Sequence, residues 1–427
     1  MNNAFDKVIG YETIKNELLQ ICDMIHNKET YEKLGAKLPQ GVLLYGDPGL
    51  GKTLIAKCFI EESGLEAFTV RRNKSNDDFI SNITETFEKA KENAPCIVFL
   101  DDMDKFANED SNHKDAEEYV AVQAGIDEVK NTGVFVFATA NNIWKLPQSL
   151  KRAGRFDRKI EINCPSDKDA CEIIKYYLSS KKVSSDVNMG DLCKMISYSS
   201  CASLETILNE AAISAAFARK DCIEMSDIVE AVLRMEYDAP DNTIKVSKDE
   251  IRKIALHEAG HAVLSEILCP GSVGLISLRS EGRTSTNGFV LRCKKLKKRS
   301  DSALVSLAGK LAVEQYYRGQ YDDGCDNDLA IAADIIRKDI SKCGIAGINL
   351  LDISNNNICL MSETLKANIE AATFSHLEFY MQRVKKILAE NKDFLEKLTQ
   401  ALIDKETLLY SDIQAIKKES KINHRVA

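Results

Sequence analysis

Residues 257–261 read His-Glu-Ala-Gly-His, with two histidines four apart and a glutamate directly after the first. On a helix, His257 and His261 project from one face one turn apart, close enough to share a tetrahedral metal ion. Glu258 is rotated by about 100° from His257, so its carboxylate can face a water on the metal. Zinc lowers the pKa of such a water to about 7, and Glu258 would pass its proton to a leaving amine. The spacing predicts a zinc peptidase; the alternative is a buried helix whose histidines form ordinary hydrogen bonds.

A catalytic zinc site needs a third protein ligand and one open position. The other histidines stand in no motif, so a carboxylate is the better candidate. Segment 321–340 places several aspartates just before an amphipathic helical pattern, namely Asp322, Asp323, Asp326 and Asp328. The residues alone do not distinguish them, because several could cap the helix.

A second constellation, GDPGLGKT, lies between a strand predicted at 41–45 and a helix predicted at 52–61. It matches the phosphate-binding pattern G-x-x-x-x-G-K-[ST], in which glycines let backbone N–H groups turn toward phosphate oxygens. Lys52 supplies a positive charge, Thr53 a hydroxyl for Mg²⁺, and the helix N-terminus its dipole. The predicted nucleotide-binding residues of this loop are Gly46, Asp47, Pro48, Gly49, Leu50, Gly51, Lys52 and Thr53.

Two acidic residues end the apolar strand predicted at 96–100. Asp101 is predicted to hold the Mg²⁺ shell, and Asp102 to orient or polarise water. The strand predicted at 134–140 ends just before Asn141, where an amide could contact the γ-phosphate or the attacking water. The chain is therefore predicted to be a P-loop NTPase.

Two arginines three residues apart, Arg152 and Arg155, lie beyond this sheet. They are either solvated surface residues or, in a ring, fingers that reach a neighbour's nucleotide and stabilise transition-state charge.

The arrangement of apolar runs indicates the fold. Strand-like runs apolar on both faces alternate with helical patterns, which favours a parallel sheet flanked by helices. These runs are predicted at 41–45, 67–70, 96–100, 134–140 and 159–163. The predicted domains are an α/β P-loop core at 1–165, a helical lid at 166–240 and a mainly α-helical zinc peptidase at 241–427.

Sequence patterns also indicate where the third predicted domain begins. Residues 238–245 read as a polar, proline-containing linker. Ser247 and Glu250 then form a capping-box pattern, which predicts that the helix carrying the two histidines begins here. A strand region is predicted at 273–292, and mostly helical structure over 301–427.

Composition narrows the function classes. A chain of 427 residues fits two or three domains, and its net charge of −8 provides no global attraction for nucleic acid. It has no run of about 18 apolar residues, so no membrane-spanning segment is predicted. The N-terminus has no secretory signal pattern, which favours a cytoplasmic protein, membrane-associated only through a partner or a removed anchor.

Several segments together resemble one family. FDKVIGYETIK, LPQGVLLYGDPGLGKTLIAK, FEKAKENAPCIVFLDDMD, AGRFDRKIEI and LNEAAISAA are similar to the AAA+ module of the FtsH family. GCDNDLAIAADIIR and LAGKLAVEQYY resemble segments of its peptidase domain. The resemblance implies an ATP-driven, homo-hexameric zinc protease that acts on unfolded or damaged proteins, with Zn²⁺, ATP and Mg²⁺ as cofactors.

The resemblance also implies roles for individual residues. Asn141 would be the sensor residue, and Arg152 and Arg155 the arginine fingers. Ile9 and Gly10 would line the adenine pocket. Asp328 would be the third zinc ligand. Glu314 would orient a ligand from outside the metal shell.

The sequence departs from the family in four places. Family members normally carry transmembrane helices before the ATPase, so this chain is either naturally soluble or lacks its anchor. Asp102 stands where the family has glutamate, which suggests slower ATP hydrolysis. The pore-loop stretch 73–87 has no glycine, and Phe79–Ile80 is either a substitute grip on substrate or part of the core. Cys-Ala-Ser at 201–203 replaces the usual Gly-Ala-Asp.

Two other functions compete with the endopeptidase. One is a protein-remodelling ATPase or chaperone in which zinc is mainly structural, as the altered pore loop and Asp102 suggest. The other is a nucleotide-sensing scaffold, against which the intact Lys52, Asn141, Arg152 and Arg155 argue.

Overall fold

Apolar runs become strands and amphipathic runs become helices over most of the chain. The computed structural model describes residues 3–72, 76–107, 116–196, 199–239, 247–279, 288–317, 325–343, 345 and 363–423. The strands are β1 (Gly41–Tyr45), β2 (Glu66–Val70), β3 (Cys96–Leu100), β4 (Val134–Ala140), β5 (Arg158–Glu161), β6 (Val273–Ser277), β7 (Phe289–Arg292) and β8 (Thr407–Leu409). The helices are α1 (Glu12–His26), α2 (Lys28–Glu32), α3 (Lys52–Ser63), α4 (Asn76–Glu92), α5 (Ala116–Glu128), α6 (Asp167–Ser179), α7 (Met189–Met195), α8 (Cys201–Phe217), α9 (Met225–Glu236), α10 (Lys248–Leu268), α11 (Arg299–Tyr316), α12 (Asp326–Cys343), α13 (Glu363–Glu390), α14 (Lys392–Lys405) and α15 (Tyr410–Glu419).

The first of two compact units comprises Met1–Lys181 with Tyr198–Leu208. Its parallel sheet has the strand order β2-β3-β4-β1-β5. Helices cover both faces, as strands apolar on both sides require. Because parallel strands end at one edge of a sheet, the segments that follow β1, β3 and β4 lie together there. The predicted α/β fold is confirmed.

The fifth strand begins and ends earlier than its predicted range of 159–163. β5 covers Arg158–Glu161. The N–H of Ile162 still donates to the carbonyl oxygen of Tyr45 at 2.7 Å, so pairing continues just beyond the assigned strand.

Phe79 belongs to the core, and its interpretation as a grip on substrate is wrong. Its side chain on α4 is fully buried, and its ring meets that of Phe106 edge-on with centroids 5.2 Å apart. Its neighbour Ile80 is half-buried. Residues 73–75 of the predicted pore-loop stretch lie outside the described residues.

The second unit comprises Lys182–Ser197 with Asn209–Ala427. Its central helix is α10, buried along most of its length and packed against α11 and α14. The predicted capping box is present: Ser247 Oγ accepts from the Glu250 N–H at 3.2 Å, and the Glu250 carboxylate accepts from the Ser247 N–H at 3.0 Å. Beside α10 lies an antiparallel sheet with the strand order β7-β6-β8.

The helices predicted to form one lid are divided between the two units. The first unit contains α6, and the second contains α7 and α9. Within the second unit, Tyr237 stacks on Phe289 of β7 with ring centroids 4.7 Å apart, and Arg279 pairs with Glu230 of α9. The domain boundaries 1–165, 166–240 and 241–427 stay a prediction.

No helix in the described part of the chain combines the length and the apolar character needed to cross a bilayer. The predicted cytoplasmic location stays a prediction.

Replacing Phe79 with alanine tests its role in the core. Loss of a fully buried aromatic ring is expected to lower the free energy of unfolding by about 3–5 kcal/mol, measured by urea denaturation of the full chain. Thr84→Ala, at an exposed position of the same helix, is the control and should change stability little. An unchanged midpoint for Phe79→Ala would contradict the core assignment.

Candidate active sites

Three predicted metal ligands converge in the second unit. His257 and His261 lie one turn apart on α10, and Asp328 lies in the first turn of α12. Asp328 Oδ2 is 3.1 Å from His257 Nε2 and 3.0 Å from His261 Nε2, and the two nitrogens are 3.0 Å apart. Among the described residues, these three form the one group able to hold a metal ion. Two imidazoles and a carboxylate are a ligand set typical of catalytic zinc.

The space beside these atoms fits a metal ion because α11 presents a glycine there. A Cβ on Gly309 would lie 2.5 Å from Nε2 of both His257 and His261. A side chain would therefore fill the place toward which both nitrogens point. Gly260 has a related role on α10, since a Cβ there would lie 2.6 Å from the Ala308 carbonyl oxygen of α11. The two glycines allow the helices to approach closely.

A hydrogen bond fixes the orientation of one histidine. His261 Nδ1 is 2.7 Å from the carbonyl oxygen of Val305. An acceptor there requires a proton on Nδ1, which leaves the lone pair of Nε2 for a metal. Glu314, predicted to orient a ligand, forms an ion pair with Lys385 at 3.0 Å. The orienting contact to His261 thus comes from backbone.

The surroundings of Asp328 favour its ionised form, which is the form that binds a metal. Burial alone would raise the pKa of Asp328, but hydrogen bonds with His257 and His261 outweigh it and hold that pKa well below its usual range. Asp328 is therefore ionised at neutral pH, as a metal ligand must be. Asp326 is exposed, and the other two candidates, Asp322 and Asp323, lie outside the described residues.

Glu258 lies beside the first residues of an edge strand. Its side chain is buried, and a Cβ on Gly288 would lie 2.8 Å from Glu258 Cγ. The same Cβ would be 2.4 Å from the carbonyl oxygen of Ser277 on β6. Gly288 thus lets the backbone entering β7 pass directly against the glutamate. β7 pairs with β6 and is an edge strand among the described strands.

The phosphate-binding loop of the first unit has the backbone that its glycines predict. Gly46, Gly49 and Gly51 all have positive φ, and a Cβ on Gly46 would lie 2.0 Å from the Ile162 carbonyl oxygen. Lys52, at the start of α3, donates to the carbonyl oxygens of Gly46 (2.8 Å) and Asp47 (2.7 Å). Pro48 and Leu50 take their predicted places between β1 and α3, and Thr53 is the second residue of α3.

Asp101 is joined to the phosphate-binding loop by hydrogen bonds. Its Oδ1 accepts from Thr53 Oγ1 at 3.0 Å and from Thr139 Oγ1 at 2.9 Å. Burial lowers the pKa of Lys52, and nearby carboxylates led by Asp102 oppose this effect. A lysine, a hydroxyl and a carboxylate thus meet where Mg²⁺ and phosphate are predicted to bind.

Asp102 is held by two neighbours. Its Oδ2 accepts from Lys105 Nζ at 2.6 Å, and its Oδ1 lies 3.4 Å from Asn141 Nδ2. Asp102 also has a positive φ of 54°, uncommon for a residue with a side chain. The structure therefore brings the predicted water-orienting and sensor residues together. The effect of aspartate on the hydrolysis rate stays a prediction.

The two predicted arginine fingers differ in their surroundings. Arg155 forms a two-pronged pair with Asp127, from Nε at 3.1 Å and from Nη2 at 2.6 Å. These hydrogen bonds lower the pKa of Asp127 to about 2. Arg152 is exposed. In a single chain, only Arg152 is therefore presented to solvent; both finger roles stay predictions.

The remaining predicted nucleotide contacts lie at the N-terminal segment and the start of α8. Ile9 is half-buried, and Gly10 has a φ of 74°, where a Cβ would lie 2.6 Å from Asp169 Oδ1 of α6. At the Cys-Ala-Ser segment, the N–H of Ala202 donates to the Gly49 carbonyl oxygen at 3.1 Å. The start of α8 therefore contacts the phosphate-binding loop despite its altered sequence.

Comparison with known proteins decides the family. Residues 42–164 match the model of the ATPase family associated with various cellular activities, and residues 244–416 match peptidase family M41. The chain is 31% identical to ATP-dependent zinc metalloprotease FtsH 2 of Symbiobacterium thermophilum, over 97% of this chain and 74% of the relative. The chain belongs to the FtsH family.

Other FtsH relatives are longer than this chain. It is 32% identical to ATP-dependent zinc metalloprotease FtsH of Mycoplasma genitalium over 98% of its own length, and 30% identical to FtsH 2 of Phytoplasma mali over 97%. It covers 63% and 62% of those two relatives. The chain thus spans about three fifths of the length of these two relatives.

Several residues that shape these FtsH-type sites have no role predicted from the sequence. Thr139, Gly288 and Gly309 contact predicted site residues, although no sequence pattern assigns them a function. Gly309 did leave a signal, because a glycine inside a helical pattern often marks close packing. Thr139 and Gly288 become visible only once strands and helices are placed in space.

Gly309→Ala tests whether this glycine leaves room for the metal. The added methyl group would occupy the space between the two Nε2 atoms, so zinc bound per chain should fall at least tenfold. Elemental analysis after dialysis measures it. Ser306→Ala, elsewhere on α11, is the control and should bind zinc like the wild type. Full zinc content in a folded Gly309→Ala chain would contradict this role.

Proposed function

We propose that this chain is an ATP-dependent zinc endopeptidase that unfolds and cleaves unfolded or damaged polypeptides. The observation that carries the proposal is the convergence of His257, His261 and Asp328 beside the buried carboxylate of Glu258. The phosphate-binding loop on the same chain supports the dependence on ATP. The names of the FtsH relatives support both activities.

In this proposal the two histidines and Asp328 hold zinc, and Glu258 handles the proton. Bound zinc would polarise a water and the carbonyl group of the peptide bond. Glu258 takes a proton from the attacking water and returns it to the leaving nitrogen. Its burial beside Gly288 keeps the carboxylate away from bulk solvent, which strengthens its electrostatic effect on the reacting atoms.

The substrate would add as a strand to the edge of β7 that pairs with none of the described strands. Main-chain hydrogen bonds to an edge strand bind a peptide without reading its sequence, as a protease of broad specificity requires. The start of β7 at Phe289 follows Gly288, which lies against Glu258. A peptide paired with β7 would therefore pass the carboxylate.

The ATPase half would supply the unfolding force. Lys52 and the loop backbone would hold the phosphates, and Thr53 and Asp101 would hold Mg²⁺. Asn141 would position the attacking water together with Asp102. We propose a homo-hexameric ring, with the exposed Arg152 reaching a neighbour's nucleotide; Arg155 would act so only after leaving Asp127. The three predicted domains are part of this proposal.

Glu258→Gln tests the peptidase assignment. Unfolded casein is incubated with ATP, Mg²⁺, Zn²⁺ and each variant, and fragments are followed by electrophoresis. The wild type should degrade casein, and Glu258→Gln should slow it at least a hundredfold while zinc content and ATPase rate remain unchanged. The control Glu370→Gln, an exposed glutamate on α13, should behave like the wild type.

Equal casein loss with wild type and Glu258→Gln would rule out this metalloprotease. Unfolding that depends on ATP but leaves casein intact would favour the remodelling ATPase instead.

A further inference from the structure

A concentration of positive charge follows β7 on the surface of the second unit. From Arg292, which ends β7, to Arg299, which begins α11, the chain reads Arg-Cys-Lys-Lys-Leu-Lys-Lys-Arg. Four exposed residues of this stretch are named here the basic strip: Lys294, Lys295, Lys297 and Lys298. The stretch contains no acidic residue, although the whole chain has a net charge of −8.

The charge of the basic strip is not neutralised locally. None of its four lysines forms an ion pair with another residue in the described part of the chain. Lys294 donates a hydrogen bond to the Pro270 carbonyl oxygen at 3.3 Å. The adjacent Arg299 pairs with Asp339 at 3.3 Å, and Asp301 is the one acidic residue in the first turn of α11. Most of the positive charge therefore faces solvent.

Helix stability does not explain the basic strip. Lys298 is the N-cap of α11 without a side-chain capping bond, and Arg299 is the first helical residue. A helix N-terminus carries partial positive charge, so cations there are electrostatically unfavourable. The one apolar residue within the strip, Leu296, packs on the core and holds the segment in place.

The basic strip continues the path that substrate would follow. Gly288 lies against Glu258, and six residues further along comes Lys294. Six residues at about 3.3 Å each span at most roughly 20 Å, so Lys294 lies no further than this from Gly288. A polypeptide paired with β7 would therefore pass the lysines about six or more residues from the bond that is cut.

We propose that the basic strip binds acidic segments of the polypeptides that the chain cleaves. Uncompensated lysines beside the substrate path attract negative charge and raise the local concentration of acidic chains. The strip is short and the chain is acidic overall, which argues for a local peptide contact over a nucleic-acid surface. This inference rests on the proposed peptidase function and specifies its substrate class.

Binding is tested apart from cleavage, in the full-length Glu258→Gln chain. The probes are two fluorescent peptides with the same core, one followed by four glutamates and the other by four glutamines. Fluorescence anisotropy should give about tenfold tighter binding of the glutamate peptide at 50 mM salt. Exchange of all four strip lysines for glutamine should abolish this difference, and so should 500 mM salt.

The matched control removes four exposed lysines of the first unit by exchange of Lys28, Lys33, Lys37 and Lys91 for glutamine. It changes the net charge equally and should keep the preference for the glutamate peptide. When the wild-type chain cleaves the two peptides, the glutamate peptide should have a lower KM than the glutamine peptide and the same kcat.

Three outcomes would overturn the inference. The first is equal binding of both peptides, and the second is a control variant that loses the preference as fully as the strip variant. The third is binding of duplex DNA, or of vesicles containing phosphatidylserine, that depends on the strip lysines and is tighter than binding of the glutamate peptide. The proposed function can fail separately. If the chain binds the glutamate peptide more tightly yet cleaves no substrate, the inference about the basic strip stands and the proposed peptidase function is wrong.

Discussion

The second unit is organised around the close approach of α11 to α10. A Cβ on Gly260 would lie 2.6 Å from the Ala308 carbonyl oxygen, and one on Gly309 would lie 2.5 Å from both Nε2 atoms. Any larger residue at either glycine forces the helices apart or fills the space between the histidines. The same approach brings the Val305 carbonyl oxygen to within 2.7 Å of His261 Nδ1. One helix contact thus sets both the room for the metal and the orientation of a ligand.

Hydrogen bonds and an ion pair of Glu266 hold the C-terminal end of α10 in place. Glu266 is fully buried there, where desolvation opposes its charge, but donors surround it and its pKa is lowered. Its carboxylate accepts from the N–H groups of Gly271 and Val273 and from Lys417 Nζ at 2.7 Å. A buried charge is tolerated only when it is paired and hydrogen-bonded in this way. Glu266 therefore ties α10 both to β6 and to α15, so the edge strand keeps its place beside Glu258.

The sequence predicts sites whose residues lie close together along the chain. It does not predict contacts that arise when distant elements pack together. The His257–His261 spacing and the phosphate-binding loop carry their chemistry within a few residues, and both lie on the predicted elements. Asp328 lies 67 residues beyond His261, so only family resemblance selected it among the aspartates. The pattern leaves two roles open for Phe79, since an aromatic residue in an amphipathic pattern suits a core as well as a loop. Gly309 was missed because its importance arises from the neighbouring helix.

We infer that two imidazoles and one carboxylate hold a zinc ion and leave one coordination position open. X-ray absorption at the zinc edge of the zinc-loaded full chain identifies the ligands. We expect nitrogen and oxygen neighbours at about 2.0–2.2 Å, with the scattering pattern of two imidazole rings and no sulfur. A shell containing sulfur, or one without imidazole, would contradict it.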